Sequence, residues 1–312
     1  MTSTNSDPET ITGIVPVIPT PFDAAGEKID FDALSGLVEF AVESNAAAAC
    51  LPAYGSEFYK LTEAERHRLV EAAIAAAGGR LPVMAQCNHG SPQIAAEFAR
   101  GYVEAGADVV SFALPRLFPL PEGELVDFAR VVCEAVSVPV LVQDFNPAGA
   151  TVGADFCREL HARCPNFRYI KLEEPHMGAK VEAIREATAD RVAVLEGWGG
   201  LYTLELLPAG IKGVMPGLSV TDVLAEVWRL GIADRIDEAF RLFAPLTVWL
   251  TFALTDMELF NVLEKRLLFK RGALNGPATR PATQHLGVDL LEHADFLAGQ
   301  VIRVADGLGT GA

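Results

Sequence analysis

Residues 139–173, PVLVQDFNPAGATVGADFCRELHARCPNFRYIKLE, contain one complete strand–helix–strand unit, and the repetition of this unit decides the fold. The apolar runs 139–145 and 167–173 have the length and composition of buried strands. Between them, residues 154–163 have the spacing of an amphipathic helix. Strands that are joined through a covering helix run parallel, so this stretch predicts part of a parallel α/β sheet.

The same unit occurs eight times along the first three quarters of the chain. The predicted strands are 13–19, 46–52, 82–87, 108–114, 139–145, 167–173, 191–197 and 212–217. The predicted helices are 30–43, 63–77, 92–104, 122–135, 154–163, 179–188, 201–207 and 220–230. Thr62 and Ser91 stand where helix caps are expected. Eight such units predict a (β/α)8 TIM barrel, with a doubly wound sheet as the alternative.

The two ends of the chain differ from this pattern. Residues 1–12 are mostly polar, and we expect them to be disordered or frayed. Residues 13–232 form the predicted barrel. Residues 233–312 show about three helices and no strand signal, which predicts a C-terminal helical extension that packs on the barrel or on a neighbouring subunit.

Composition excludes several classes of function. The net charge of −16 over 312 residues argues against nucleic acid and against an anionic membrane surface as partners. No apolar run has membrane-spanning length, and the five cysteines include no CxxC pair, so we expect reduced thiols in a cytoplasmic protein. No metal-ligand spacing or dinucleotide fingerprint is present, so we expect neither a metal nor another cofactor.

The run 167–173 contains a lysine where the alternation points into the protein. Phe167, Tyr169 and Lys171 are predicted to share one face of the strand. An unpaired ammonium in an apolar interior is costly, so Lys171 requires a partner or a function.

Two interpretations of Lys171 have similar weight on strand position alone. In the first, its amine attacks a carbonyl group, and the resulting iminium serves as an electron sink. In the second, its ammonium forms an ion pair with Glu173, Glu196 or Glu57. The first requires the lysine to lie at the C-terminal end of its strand, where barrel enzymes have their active sites.

Several stretches resemble the dihydrodipicolinate synthase/N-acetylneuraminate lyase family of Schiff-base aldolases. The resemblance extends from about Gly13 to Gly272 and rests on several ordered matches. These are GIVPVIPTPFDAAGEKIDFDAL (13–34), GSEFYKLTEAER (55–66), RYIKLEE (168–174), GIKGVMPG (210–217) and NVLEKRLLFKRG (261–272). The resemblance implies a barrel whose Lys171 forms a Schiff base with a 2-oxo acid.

The chain departs from the family where the reaction is selected. The family's Gly-Thr-Thr-Gly-Glu loop reads AYGSE (53–57), so Tyr54 and Gly55 replace two threonines. Gln143 stands at the position of the family's proton-relay tyrosine, and an amide is no acid or base near neutral pH. The tyrosine stretch that crosses a subunit interface reads PRLFPL (115–120). No arginine occurs in 146–151, so we expect weak synthase activity.

Further candidates follow the other strands. Tyr54 is expected either to replace a lost hydroxyl relay or to pack against the helical tail. Gln143 is expected to hydrogen-bond a substrate oxygen or to orient Lys171. Glu173 and Glu196 are candidate bases or partners of the lysine. The remaining substrate-binding candidates are Gly55, Ser56, His89, Gly197 and Pro216. Loop positions also suit a structural role for His89, and Arg116 and Glu57 are more simply interpreted as an ion-pair residue and a structural glutamate.

These observations predict a cofactor-free lyase that acts on a small 2-oxo acid. The reaction is either an aldol cleavage or addition of the pyruvate type, or the dehydration of a 2-oxo-3-deoxy sugar acid. The alternatives are dihydrodipicolinate synthase itself and a non-catalytic barrel that binds 2-oxo acids. The resemblance also implies a homotetramer or a homodimer.

Overall fold

The structure is a computed structural model that describes residues 10–147 and 149–309. Most of the segment 1–12, which the sequence predicts to be frayed, therefore lies outside the described residues. At its end, Ile11 is tied to the barrel, because its amide donates a hydrogen bond to the hydroxyl of Tyr169 at 3.0 Å.

Eight parallel strands make up the sheet within the described residues, in the order β1-β8-β7-β6-β5-β4-β3-β2. They are β1 (Gly13–Ile14), β2 (Ala49–Leu51), β3 (Val83–Gln86), β4 (Val109–Ala113), β5 (Val140–Asp144), β6 (Phe167–Leu172), β7 (Ala193–Glu196) and β8 (Gly213–Val214). The helices between and after them are α1 (Phe31–Glu43), α2 (Glu63–Ala77), α3 (Pro92–Ala105), α4 (Glu122–Cys133), α5 (Ala154–Arg163), α6 (Gly178–Thr188), α7 (Thr203–Leu206) and α8 (Thr221–Ile232).

The sheet closes between β1 and β2. Val17 bridges both to Cys50 and to Gly217, and the amide of Ala47 donates to the carbonyl of Ile14 at 2.7 Å. A closed ring of parallel strands surrounded by helices is the (β/α)8 barrel that the eight units predict. The fold prediction is confirmed, and the doubly wound alternative is wrong.

Phe167 is an exception to the predicted alternation in β6. The register of β6 against β5 shifts between Phe167 and Tyr169, so Arg168 is an extra residue at a bulge. Phe167 consequently packs outside the barrel, edge-on to Phe156. Tyr169 belongs to the interior layer of the barrel, on the same side of β6 as Lys171. The expectation that Phe167 shares this face is wrong.

One of the two predicted helix caps is confirmed. Thr62 and Glu65 form a capping box at the start of α2, with a hydrogen bond of 2.9 Å from the Thr62 amide to the Glu65 carboxylate. Ser91 precedes α3, but its hydroxyl donates to Oε1 of Gln93 at 3.1 Å and does not cap the helix. Pro92 occupies the first turn of α3 and has no backbone N–H, so no cap is required to accept a hydrogen bond from it.

The C-terminal extension consists of α9 (Ile236–Ala253), α10 (Met257–Lys270) and α11 (Val288–Gly309). Helix α9 packs on α8 and on α11, so the extension continues the outer layer of the barrel. The turn between α9 and α10 reaches the C-terminal ends of the strands. No helix among the described residues is long and apolar enough to cross a membrane.

A buried ion pair connects the extension to the loop after β2. Lys265 of α10 donates a hydrogen bond to the carboxylate of Glu57, and their side chains are 1% and 0% exposed. Lys60 contacts the same carboxylate at 2.9 Å. Burial lowers the pKa of Lys265, so the pair depends on its hydrogen bonds to remain charged.

This pair generates a prediction for stability. The variant Lys265→Met leaves Glu57 with Lys60 as its one ion-pair partner among the described residues. We expect the free energy of unfolding to fall by roughly 3 kcal/mol in urea denaturation. The control is Arg80→Met, which breaks an exposed pair with Glu39 and should have a far smaller effect. Equal effects of the two variants would show that the buried pair does not stabilise the fold.

Candidate active site

A cavity of about 390 Å³ lies at the C-terminal ends of the strands. Loops after β2, β5, β6, β7 and β8 line it, together with the turn between α9 and α10. Seven of the nine site residues that the sequence predicts line this cavity: Tyr54, Gly55, Gln143, Lys171, Glu173, Gly197 and Pro216. A depression of about 860 Å³ near the start of β1 includes none of them.

Lys171 and Glu173 form the charged centre of the cavity. The two side chains are 8% and 5% exposed, and Nζ of Lys171 lies 3.1 Å from Oε1 of Glu173. Both sequence interpretations of the lysine thus hold geometrically, since it is paired and also faces a cavity. Burial raises the pKa of Glu173, and the charge of Lys171 opposes that rise.

Gln143 connects this centre to a second buried amide. It pairs directly with Lys171 across β5 and β6, so the two side chains lie in one layer. Its Nε2 donates to Oε1 of Glu173, and its Oε1 accepts from Nε2 of Gln86 at 2.5 Å. Oε1 of Gln86 is buried without a hydrogen-bond partner among the described residues. Gln86 is not among the predicted site residues, although its alternation with Met84 in β3 indicates that it points inward.

Tyr54 lies in a 3₁₀ turn after β2, at the wall of the cavity. Its ring contacts those of Phe58 and Phe145, with centroids 5.2 Å and 5.7 Å away. Burial raises the pKa of Tyr54, and the charge of Glu173 raises it further. The hydroxyl therefore stays protonated within electrostatic range of the carboxylate, where it can donate a proton or a hydrogen bond.

Ser56 and His89, which the sequence predicts to contact substrate, are not among the residues that line the cavity. Ser56 is fully buried, and its hydroxyl donates to the carbonyl of Ile18 at 2.6 Å. Nδ1 of His89 accepts a hydrogen bond of 2.9 Å from the amide of Ser91 in the turn before α3. In both residues the polar atom satisfies a neighbouring backbone group, as suits a structural role.

Glu196, which the sequence offers as a base or as a partner of Lys171, is not among the residues that line the cavity. Its carboxylate accepts hydrogen bonds from the amides of Trp198 at 3.0 Å and Gly200 at 2.7 Å. It therefore holds the loop that presents Gly197. A Cβ atom at Gly197 would lie 2.7 Å from Cε of Lys171, so only glycine fits against the lysine.

Arg116 and Glu57 have the structural roles that the sequence favours. Arg116 makes a bidentate pair with Asp144 at 2.7 Å and 2.5 Å, and Glu57 pairs with Lys60 and Lys265. Asp144 also accepts a hydrogen bond of 2.7 Å from the amide of Val152 in the loop after β5, so the ion pair holds that loop in place.

The helical tail contributes the side of the cavity that sequence analysis did not foresee. Leu254, Thr255, Asp256, Met257 and Phe260 line it from the turn between α9 and α10 and from the start of α10. Periodicity predicted these helices but contained no information about what they cover. Within the described residues, no three potential ligands come together as they would to hold a metal ion.

Comparisons relate the chain to known proteins. The sequence model of the dihydrodipicolinate synthetase family matches residues 10–232. An L-2-keto-3-deoxyarabonate dehydratase of Azospirillum brasilense is 28% identical over 84% of this chain and 85% of its own. A probable 5-dehydro-4-deoxyglucarate dehydratase of Ralstonia nicotianae is 35% identical over 39% of each chain. The crystal structure of a dihydrodipicolinate synthase from Rhodopseudomonas palustris has 24% identity and a TM-score of 0.86, and the match covers 93% of this chain and 97% of that one, which shows the shared fold.

The environment of Glu196 predicts a pH dependence of stability. Burial raises the pKa of Glu196 from 4.5 to about 7. Between pH 4.5 and about pH 7 the folded protein holds a proton on Glu196 that the unfolded chain releases. Proton binding at Glu196 therefore stabilises the fold fully below pH 4.5, and this stabilisation is lost as pH rises through about 7.

We therefore expect the free energy of unfolding to fall more between about pH 5 and about pH 8 in the wild type than in Glu196→Gln, by on the order of 2 kcal/mol. Urea denaturation at several pH values measures the two slopes. Glu71→Gln, on the exposed face of α2, should keep the wild-type slope. Parallel slopes for the wild type and Glu196→Gln would contradict the prediction.

Proposed function

The chain belongs to the dihydrodipicolinate synthetase family and is a lyase of its lysine Schiff-base type, and we propose that it dehydrates a 2-oxo-3-deoxy sugar acid held as an imine on Lys171. The observation that carries the proposal is the contact of 3.1 Å between Lys171 and Glu173, with Gln143 where a relay tyrosine would act. Two of the similar proteins, those from Azospirillum brasilense and Ralstonia nicotianae, are named as a dehydratase of L-2-keto-3-deoxyarabonate and a probable dehydratase of 5-dehydro-4-deoxyglucarate.

The first step is formation of the imine. Glu173 is close enough to take a proton from the ammonium of Lys171, which leaves an amine that attacks the C2 carbonyl of the substrate. The hydroxyl of the carbinolamine then takes the proton back from Glu173 and leaves as water, which gives an iminium and restores the Glu173 carboxylate. The mostly apolar wall around the lysine keeps bulk water from competing with this reaction.

The turn after β2 is suited to hold the substrate carboxylate. The amides of Tyr54 and Gly55 donate none of the hydrogen bonds found among the described residues, and both residues line the cavity. A Cβ atom at Gly55 would lie 3.1 Å from Val17 and 3.2 Å from Phe260, so glycine leaves room for a ligand at the turn. Neutral backbone donors are sufficient for a carboxylate because the iminium supplies the positive charge.

Glu173 then removes a proton from C3. Its Oε1 receives both Gln143 and Lys171, so Oε2 is the oxygen that remains for the substrate. Loss of the C3 proton gives an enamine, and the enamine expels the C4 hydroxyl as water. The proton comes back from Glu173, either directly or through Tyr54, so both residues return to their starting forms. Hydrolysis of the unsaturated imine restores Lys171, and the cycle releases one molecule of water overall.

Gln143 disfavours the competing aldol cleavage. Cleavage begins with removal of the proton from the C4 hydroxyl, and an amide cannot accept it. Both ends of the Gln143 amide are already engaged, one with Gln86 and the other with Glu173. The synthase reaction is also disfavoured, because the described cavity lining contains no arginine for the carboxylate of a second substrate.

We further propose a homo-oligomer, a tetramer or a dimer, located in the cytoplasm. Leu117 and Phe118 in the loop after β4 are 84% and 71% exposed, and large exposed apolar side chains commonly mark subunit contacts. The five cysteines are all free, as suits a reducing compartment.

The chemical proposal is tested with a panel of 2-oxo-3-deoxypentonates and hexonates. The wild type should convert at least one member to a product lighter by one water, without release of pyruvate, and the rate should fall at low pH as Glu173 becomes protonated. Borohydride should trap an imine on Lys171. Glu173→Gln should lower turnover by on the order of 10²–10⁴-fold, because the base that removes the C3 proton is lost. The imine should form more slowly but should still be trapped, since Lys171 itself is retained.

Two variants complete the experiment. Lys171→Ala should abolish both trapping and turnover, whereas Glu182→Gln on the exposed face of α6 should change neither. Pyruvate plus an aldehyde as products would identify an aldolase instead. A wild type that no 2-oxo acid labels would remove the proposed role of Lys171.

The assembly is tested by gel filtration with light scattering. The wild type should have a mass of two or four times 33.4 kDa. Phe118→Glu places a charge in the proposed contact and should shift the protein to a smaller species. A wild type that is monomeric at micromolar concentration would refute the proposal.

A further inference from the structure

We propose that the cavity accepts 2-oxo-3-deoxy sugar acids with a single carboxylate and that Asp256 at its outer rim rejects the corresponding diacids. This inference rests on the proposed function, because it assumes that the C2 end of the substrate lies at Lys171. The far end of the bound acid then points away from the strands, toward the turn between α9 and α10.

The described lining of the cavity contains more negative than positive side chains. Lys171 is the only cation among the described lining residues, and Glu173 already neutralises it. Asp256 adds a second negative charge on the wall formed by the turn between α9 and α10. The iminium and the first carboxylate of the substrate balance one another, so a second carboxylate would meet Asp256 with no cation to compensate it.

Asp256 is fixed in place. Its Oδ1 accepts hydrogen bonds from the amides of Glu258 at 2.9 Å and Leu259 at 3.0 Å, and from Nε2 of Gln284 at 2.9 Å. All of these donors use the same oxygen. Oδ2 has no hydrogen-bond partner among the described residues, so it can accept one from a substrate hydroxyl.

The same residue removes the obvious alternative site for a second carboxylate. The N-terminus of a helix as long as α10 attracts anions through its free amides. Asp256 is the N-cap of α10 and occupies the amides of Glu258 and Leu259 with its own carboxylate. An anionic tail therefore finds no cation among the described lining residues and finds these two amides already occupied, whereas a hydroxyl finds an acceptor.

The test compares two substrates of equal length, a 2-oxo-3-deoxyhexonate and the hexarate that differs only in its terminal carboxylate. We expect kcat/KM of the wild type to favour the hexonate at least about tenfold, with a preference that narrows as salt is added. Asp256→Asn keeps an oxygen for the cap and removes the charge. It should reduce the preference about tenfold, chiefly by improving use of the hexarate.

The control Asp237→Asn removes one negative charge at the exposed start of α9 and should leave the preference unchanged. Equal use of the two acids by the wild type, or an unchanged preference in Asp256→Asn, would overturn the inference. If neither acid is dehydrated, the proposed reaction fails. The rates of borohydride trapping on Lys171 then decide between the two acids, because trapping requires binding and imine formation only.

Discussion

The active end of the barrel depends on one constraint: a lysine and a carboxylate are held together in an interior that favours neither charge. Lys171 and Glu173 are both nearly buried, and either alone would be strongly destabilising. Gln143 supplies Glu173 with a second donor, and Gln86 fixes the orientation of Gln143. Gly197 is required beside them because the lysine passes where a side chain would lie.

A second buried pair determines what faces the first. Glu57 follows β2 and Lys265 lies on α10, so their contact fastens the helical extension over the loop that carries Tyr54. The start of α10, with Asp256, is thereby placed at the rim of the cavity. The extension is consequently part of the site, and the charge that it brings there bears on which substrates can enter.

Much of this could be predicted from the sequence, because strand and helix periodicity depends on near neighbours. All eight units and the three terminal helices were found in that way, and so was Lys171. The differences between the predicted set and the cavity lining have a common cause. Ser56, His89 and Glu196 are polar residues that follow strands, which makes each a candidate from sequence, yet none of them lines the cavity. Their hydrogen bonds go to backbone groups whose positions only the folded loops define. Asp256 was missed for the converse reason, since what it faces depends on which elements pack together. The alternation of β3 does contain a signal for Gln86, whereas the bulge at Arg168 has none.

The same arrangement limits the chemistry that this barrel can perform. Replacing a relay tyrosine by Gln143 removes a titrating group and adds a rigid donor, so Glu173 becomes the one carboxylate next to Lys171 among the described lining residues. A single carboxylate can take a proton from C3 and return it to the oxygen on C4, because these atoms are neighbours once C2 is fixed as the imine. Cleavage of the bond between C3 and C4 instead needs a base on the C4 oxygen first, and an acid at C3 afterwards. Gln143 and Lys171 hold Glu173 beside the imine nitrogen, where it can reach C3. This position of the base favours dehydration over cleavage.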